Sequence, residues 1–184
     1  MPVSSKHALV IVFDGIEEVE ALTPVDILRR AAIKVTMASV TDSLDVTGRN
    51  GITFKADTRL SSLDHSQPYD LVLLPGGPGV LDLTENRQVA NILKTQNAAK
   101  REIAAICAAP KILAIHGLLD DKAATGHISV RKDLPKPSNA PTVEDGNITT
   151  SQGVGTAVNF SLTLAKRLKG KEIAKQIADE IHCA

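Results

Sequence analysis

Short apolar runs alternate with longer amphipathic stretches along the chain. These runs predict strands at residues 8–13, 35–40, 70–74, 103–106 and 142–150. The last of them contains a polar turn and therefore predicts a late β-hairpin. Most of the runs lack polar alternation, which is typical of strands that are covered on both faces of a parallel sheet.

The stretches between the runs have helical periodicity. They predict helices at residues 17–31, 86–99, 110–116, 156–168 and 171–181. Pro24 falls inside the first helix and is expected to kink it or to end a turn there. Strands that alternate with helices indicate an α/β sandwich of three layers around a mostly parallel, doubly wound sheet.

Composition limits the classes of protein and partner. The 184 residues are 43% apolar, which suits one domain over residues 1–184. Lys plus Arg and Asp plus Glu both number 21, so no global field attracts nucleic acid or an anionic membrane. With no Trp and only four other aromatic residues, the chain has no base-stacking platform. We therefore expect neither a nucleic-acid nor a membrane partner.

The start of the chain and the cysteines bear on location. Residues 1–7 show no apolar segment of the kind that directs secretion, and no apolar run approaches a membrane span. Cys107 and Cys183 form no disulfide framework, which suits a reducing compartment. The sequence predicts a cytoplasmic protein.

Cys107 is the main candidate for chemistry. It ends the apolar run at 103–106, and Ala108, Ala109 and Pro110 lead from it into a helical stretch. A sharp strand-to-helix turn lifts the side chain at its apex clear of the sheet and points the following N–H groups at whatever that side chain attacks. The competing interpretation is an inert thiol in the core, because cysteine is among the most buried residue types.

Two other strand ends carry unusual residues. Ligands of such sheets bind beyond the carboxyl ends of the strands. Gly76 and Gly77 follow the strand at 70–74, and their N–H groups, with that of Ala108, could form an oxyanion hole. The same glycines could instead serve only a tight turn.

An acidic stretch follows the first strand. Glu17, Glu18 and Glu20 open a helix, where carboxylates favour the helix dipole, and a solvated first turn is expected for at least two of them. Glu20 lies three residues beyond Glu17, so it shares that face of the helix and can turn inward toward Cys107 while Glu18 faces elsewhere. Such a pair would hold one proton, which we place on Glu20, leaving an activated thiolate with a pKa below the free value of about 8.5.

The chain resembles the ThiJ/PfpI superfamily, and within it the branch of the Parkinson-disease protein deglycase. The resemblance is carried by residues 8–20, 25–36, 69–77, 104–110 and 150–156. It implies a flavodoxin-like homodimer in which Cys107 bonds to a protonated Glu20. It also implies that His127 is the site histidine and that Arg49 is donated near the site across the dimer.

Histidines give no independent sign of a metal or cofactor. From its sequence context alone, His127 could equally be a loop residue bonded to a backbone carbonyl. The other four have no metal-ligand spacing and are expected at the surface or in packing: His7, His65, His116 and His182. We expect neither a metal nor a cofactor.

Two functions share the predicted site. The first is a deglycase or glyoxalase III activity on methylglyoxal, glyoxal or their early adducts with amines and thiols, giving hydroxy acids. The second is an oxidative-stress sensor or redox chaperone that works through oxidation of Cys107. A cysteine peptidase ranks below both, because Ala108 follows the cysteine and no His-x-Glu sequence supplies a base for an amine leaving group.

Overall fold

A computed structural model describes residues 6–64 and 67–183. Its centre is a seven-stranded sheet in the order β10-β11-β7-β6-β1-β2-β5, in which only β10 runs antiparallel to its neighbour. The strands are β1 (His7–Val12), β2 (Lys34–Ser39), β3 (Asp45–Thr47), β4 (Thr53–Lys55), β5 (Thr58–Arg59), β6 (Leu71–Leu74), β7 (Glu102–Ile106), β8 (Ala123–Ala124), β9 (Lys136–Pro137), β10 (Thr142–Asp145) and β11 (Ile148–Ser151).

Helices cover this sheet. They are α1 (Glu18–Arg30), α2 (Arg87–Ala98), α3 (Pro110–Ile115), α4 (Ile128–Arg131), α5 (Ala157–Lys169) and α6 (Lys171–Glu180), with 3₁₀ turns at Leu60–Ser62, Pro78–Leu83 and Val154–Thr156. Helix α1 packs against α5, and α5 packs against α6, while α2 and α3 contact β7. Residues 8–12 of β1 are fully buried, as expected of a strand covered on both faces.

The α/β sandwich predicted from the alternation of strands and helices is confirmed. The five predicted strand regions correspond to β1, β2, β6, β7 and the β10–β11 hairpin, and the five predicted helices are present within one or two residues at each end. The hairpin turns at Gly146, whose φ is +61°. Asn86 caps α2, because its side chain accepts hydrogen bonds from the N–H groups of Gln88 and Val89.

Several short elements are absent from the sequence-based prediction. The most important here is the antiparallel hairpin of β3 and β4, which lies outside the main sheet. The others are β5, the β8–β9 pair and α4. Strands of two or three residues bury too little apolar surface to leave a periodic pattern in the sequence.

Helix α1 continues through Pro24, which is buried, and the predicted kink there stays a prediction. Val25, Ile27 and Leu28 are buried in the core, and Val19 is the large apolar residue of α1 that remains exposed, at 44%.

None of the helices formed by residues 6–64 and 67–183 combines the length and the apolar character that crossing a membrane requires. The cytoplasmic location stays a prediction.

Candidate active site

Cys107 occupies a strained elbow between β7 and α3. Its φ is +65°, a left-handed conformation that non-glycine residues seldom adopt. The conformation is held from both sides, because the Cys107 N–H donates to Ser151 O over 3.0 Å and the Cys107 carbonyl accepts from the His127 N–H over 2.7 Å. The thiol is partly exposed. The elbow predicted from the sequence is therefore present, and the inert-core interpretation does not fit an accessible sulfur on a strained backbone.

Glu20 lies against this thiol. A hydrogen bond joins the Glu20 carboxyl to Cys107, and Glu20 Oε2 also accepts from the Gly76 N–H over 3.1 Å. The side chain is only 1% exposed. Helix α1 thus presents one carboxyl to the carboxyl ends of β6 and β7, as its spacing along the helix predicted.

Backbone N–H groups surround the sulfur. Gly77 and Ala108 each direct a backbone hydrogen bond at Cys107, and Gly76 directs its own at Glu20. These are the three residues predicted to form an oxyanion hole, and the structure brings all of them to the thiol. The N–H groups of Gly77 and Ala108 can stabilise negative charge on sulfur or on an oxygen bound next to it, while that of Gly76 holds the Glu20 carboxyl.

The Cys107–Glu20 pair shares one proton over a wide pH range. Burial raises the pKa of Glu20 from an ordinary value of 4.5 to about 7. Burial, followed by the charge of Glu20, raises the pKa of the Cys107 thiol to about 11. These directions contradict the expected thiol pKa below 8.5. Because each group disfavours the charge of the other, the pair holds one proton between them, and Glu20 is placed to exchange that proton with the sulfur.

The acidic stretch is buried rather than solvated. Glu17, Glu18 and Glu20 are 6%, 3% and 1% exposed, so the expectation of a solvated first turn for two of them is wrong. The β3–β4 hairpin explains this burial, because it is bonded to the residues just before the acidic stretch. The Thr47 carbonyl accepts from the Gly15 N–H, and the Thr47 N–H donates to Asp14 Oδ1. Covering by this hairpin was not evident from the sequence.

Arg49 lies in the turn of that hairpin. Its Nε is 3.6 Å from Glu17 Oε2, and its charge lowers the pKa of Glu20 while the charge of Glu17 raises it. Arg49 therefore reaches the site from within its own chain. A contribution across a dimer stays a prediction.

His127 lies beside the elbow through its backbone, and its ring nitrogen Nδ1 contacts Ser129. The His127 Nδ1 is 2.8 Å from Ser129 Oγ and accepts from the Ser129 N–H over 3.3 Å, which caps α4. The side chain is exposed. The structure thus places the backbone of His127 against Cys107 and gives its imidazole a capping role. A part for that imidazole in catalysis stays a prediction.

The remaining histidines match the expectation of packing or surface positions where they are described. His7 Nε2 bonds to Thr36 Oγ1 over 2.9 Å, His116 is half-buried and His182 is exposed. His65 lies outside the described residues. Within residues 6–64 and 67–183, no three His, Cys, Asp or Glu side chains cluster in a way that could hold a metal ion.

A cavity of about 480 Å³ lies elsewhere, against α2, and Tyr69, Val72, Gln96 and Arg101 are among its lining residues. It shares none of the site residues described above. The strained thiol, the buried carboxyl and the converging N–H groups therefore locate the chemistry at Cys107 rather than at this cavity.

Comparisons with known proteins agree with this geometry. The sequence model of the DJ-1/PfpI family matches residues 6–167. The chain is 39% identical over 180 residues to the Parkinson disease protein 7 homolog of Danio rerio, covering 95% of both chains. It is 28% identical over 178 residues to the isonitrile hydratase of Pseudomonas putida, covering 95% of this chain and 77% of that protein.

A solved structure extends the agreement to three dimensions. The oxidized DJ-1 of Toxoplasma gondii superposes with a TM-score of 0.94 at 34% identity, over 98% of this chain and 100% of that one. Sequence and fold therefore lead to the same conclusion, and the chain belongs to the DJ-1/PfpI family.

Proposed function

We propose that this protein is a cysteine enzyme of the deglycase or glyoxalase III type that works without a cofactor. Its substrates are small α-oxoaldehydes such as methylglyoxal and glyoxal, or their early adducts with amines and thiols. One observation carries the proposal: the thiol of Cys107, on a left-handed elbow, is hydrogen-bonded to the buried carboxyl of Glu20.

The first step is addition of the thiol to the aldehyde. The sulfur bonds to the aldehyde carbon, and the electron pair of the carbonyl π bond moves to the oxygen. Glu20 takes the proton from sulfur and delivers it to that oxygen, which gives a hemithioacetal. The N–H groups of Gly77 and Ala108 stabilise the charge that develops during the addition.

The second step moves hydrogen between the two substrate carbons. Glu20 removes the proton from the former aldehyde carbon, giving an enediol, and a proton is returned to the neighbouring ketone carbon. The carbon bound to sulfur is thereby oxidised to a thioester while its neighbour is reduced to an alcohol. Water then cleaves the thioester to the hydroxy acid and restores the thiol. The sequence balances with no external oxidant or reductant.

Two further observations support this assignment. The pKa of Glu20, raised to about 7 by burial, suits a group that must both accept and donate a proton near neutral pH. In addition, the family includes an enzyme named isonitrile hydratase, which supports an enzymatic role for this architecture.

The test is lactate formation from methylglyoxal by freshly reduced protein. We expect turnover by the wild type and by Cys183→Ser, which removes the other cysteine, and a loss of at least about 100-fold in Cys107→Ala. Equal rates for wild type and Cys107→Ala would refute the proposal.

A redox function is the second candidate. The partly exposed sulfur faces N–H donors that could hold a sulfinate, and a relative has been solved in a form described as oxidized. One thiol and two molecules of hydrogen peroxide give one sulfinic acid and two molecules of water. Under mild peroxide, peptide mass spectrometry should show a sulfinate on Cys107 before Cys183 is oxidised, together with a higher melting temperature. The reverse order of oxidation would exclude this function.

A further inference from the structure

A third buried carboxylate lies next to the site and takes no part in the proposed chemistry. Glu18 begins α1 and is 3% exposed. Its Oε1 accepts from the N–H groups of Asn50 and Ile52 over 2.8 and 3.4 Å, and its Oε2 accepts from Asn50 Nδ2 over 3.0 Å. A carboxylate so placed fixes the turn at residues 48–52, which joins β3 to β4.

The turn is shaped to receive this carboxylate. A Cβ atom on Gly48 would lie 2.3 Å from both Cδ and Oε1 of Glu18, so only glycine leaves the carboxylate in place. The turn itself closes by hydrogen bonds from the Gly48 N–H to Ile52 O and from the Gly51 N–H to Gly48 O. Close packing and hydrogen bonding therefore act on the same five residues.

That turn carries Arg49. The Arg49 N–H donates to Ile16 O over 2.8 Å, and its guanidinium lies beside Glu17. We propose that Glu18 is a positioning residue: by holding the 48–52 turn against the start of α1, it keeps the guanidinium of Arg49 beside Glu17 and within electrostatic range of Glu20. The inference deepens the proposed function and rests on it for its catalytic meaning.

The charges around Glu20 give this placement a measurable consequence. The titratable groups facing it are Glu17 from the loop before α1, Arg49 from the turn and Cys107 from the elbow. The negative charge of Glu17 raises the pKa of Glu20, and the positive charge of Arg49 lowers it. If the turn loosens and Arg49 moves away, the effect of Glu17 is unopposed, so the pKa of Glu20 must rise.

The test measures that pKa in two ways, each in a Cys183→Ser background. One is the pH dependence of Cys107 alkylation by iodoacetamide, and the other is the pH dependence of kcat/KM for methylglyoxal. Both reactions need Glu20 to accept the thiol proton. We expect Glu18→Ala and Arg49→Gln each to raise the apparent pKa by roughly 0.5 unit, and the double variant to raise it no further.

Thr53→Val is the matched control. It removes the hydrogen bond between Thr47 and Thr53 in the same hairpin without touching the turn, and should leave both profiles unchanged. If Glu18→Ala does not fold, Gly48→Ala replaces it, because the added methyl displaces the Glu18 carboxylate.

An unchanged pKa in Glu18→Ala or Gly48→Ala, or shifts that add in the double variant, would overturn the positioning role. Absence of methylglyoxal turnover in the wild type would instead refute the proposed function. The alkylation profile needs no substrate and would still decide the role of Glu18.

Discussion

Gly76 and Glu20 are in direct contact across the site. The Gly76 N–H donates to Glu20 Oε2 over 3.1 Å, and a Cβ on Gly76 would lie 2.5 Å from that same oxygen and 2.5 Å from the Cβ of Cys107. The backbone of the loop after β6 thus packs against both Glu20 and Cys107, and a side chain at Gly76 would displace one or both of them.

Gly76→Ala should therefore separate the catalytic pair. We expect a loss of about 100-fold in methylglyoxal turnover and a loss of about 1–3 kcal/mol in the free energy of unfolding from overpacking. Gly155→Ala is the matched control, because a Cβ on Gly155 meets nothing within 4 Å. Full activity in Gly76→Ala would show that the pair tolerates displacement and is not required.

Glu20→Gln should stabilise the fold at alkaline pH. Burial raises the pKa of Glu20 to about 7, so folding favours its protonated form. The stability that this preference contributes is complete below pH 4.5, declines as the pH rises and is lost above about 7. Glutamine resembles the protonated acid at every pH. The free energy of unfolding of the variant should exceed that of the wild type by up to about 3 kcal/mol at pH 8, and this difference should vanish near pH 4.

Glu18→Gln should have the opposite effect. Burial alone would raise the pKa of Glu18, but hydrogen bonds from its own N–H and from Asn50 and Ile52 outweigh it and lower the pKa. The stability that the ionised Glu18 contributes through this lowered pKa is present at neutral pH and is lost as the pH falls through the lowered pKa. The melting temperature of Glu18→Gln, measured from pH 3 to 8, should thus lie below that of the wild type at pH 7. In acid the two melting temperatures should converge. A stabilised Glu18→Gln protein at pH 7 would contradict the assignment.

Activity should rise with pH through the titration of Glu20. The base must be ionised to take the thiol proton, so kcat/KM for methylglyoxal should increase up to about pH 7 and then level off. In Glu20→Gln this pH dependence should disappear, and kcat/KM should fall by at least about 100-fold. A wild-type profile that is flat between pH 5 and 8 would exclude Glu20 as the base.

We propose that the protein forms a homodimer through α1. Val19, at 44% exposure, lies next to Glu18, and Ile52 of the 48–52 turn is also exposed. Val19→Asp should therefore weaken both association and activity, whereas Ile115→Asp, at a similarly exposed position on α3, should not. A stable two-fold interface buries on the order of 1,600 Å². Light scattering that reports a fully active monomer at micromolar concentration would refute the dimer.

The sheet and the elbow could be predicted because their signals are local. Residues 103–106 form an uninterrupted apolar run that ends at Cys107, and small residues follow at once. The inward direction of Glu20 could also be predicted, since its spacing from Glu17 determines which face of α1 it occupies.

The burial of Glu18 could not be predicted, because it depends on partners far away in the chain. Asn50 is 32 residues from Glu18, and the strands that bring it there are three residues long. The same hairpin buries Glu17 and brings Arg49 to it, so one unpredicted element accounts for the error in the acidic turn. The raised thiol pKa was missed because it depends on how deeply Cys107 and Glu20 are buried together, which spacing does not reveal.

The groups around the thiol come from widely separated parts of the chain. Glu20 is supplied by α1, Gly77 by the loop after β6 and Ala108 by the turn after β7, and the carbonyl of Ser151 at the end of β11 holds the elbow itself. An unfolded or partly opened chain would carry an ordinary cysteine with no carboxyl beside it. The reactivity of Cys107 therefore depends on the folded state of the protein. Measuring it at this one sulfur atom shows whether four distant segments of the chain have come together.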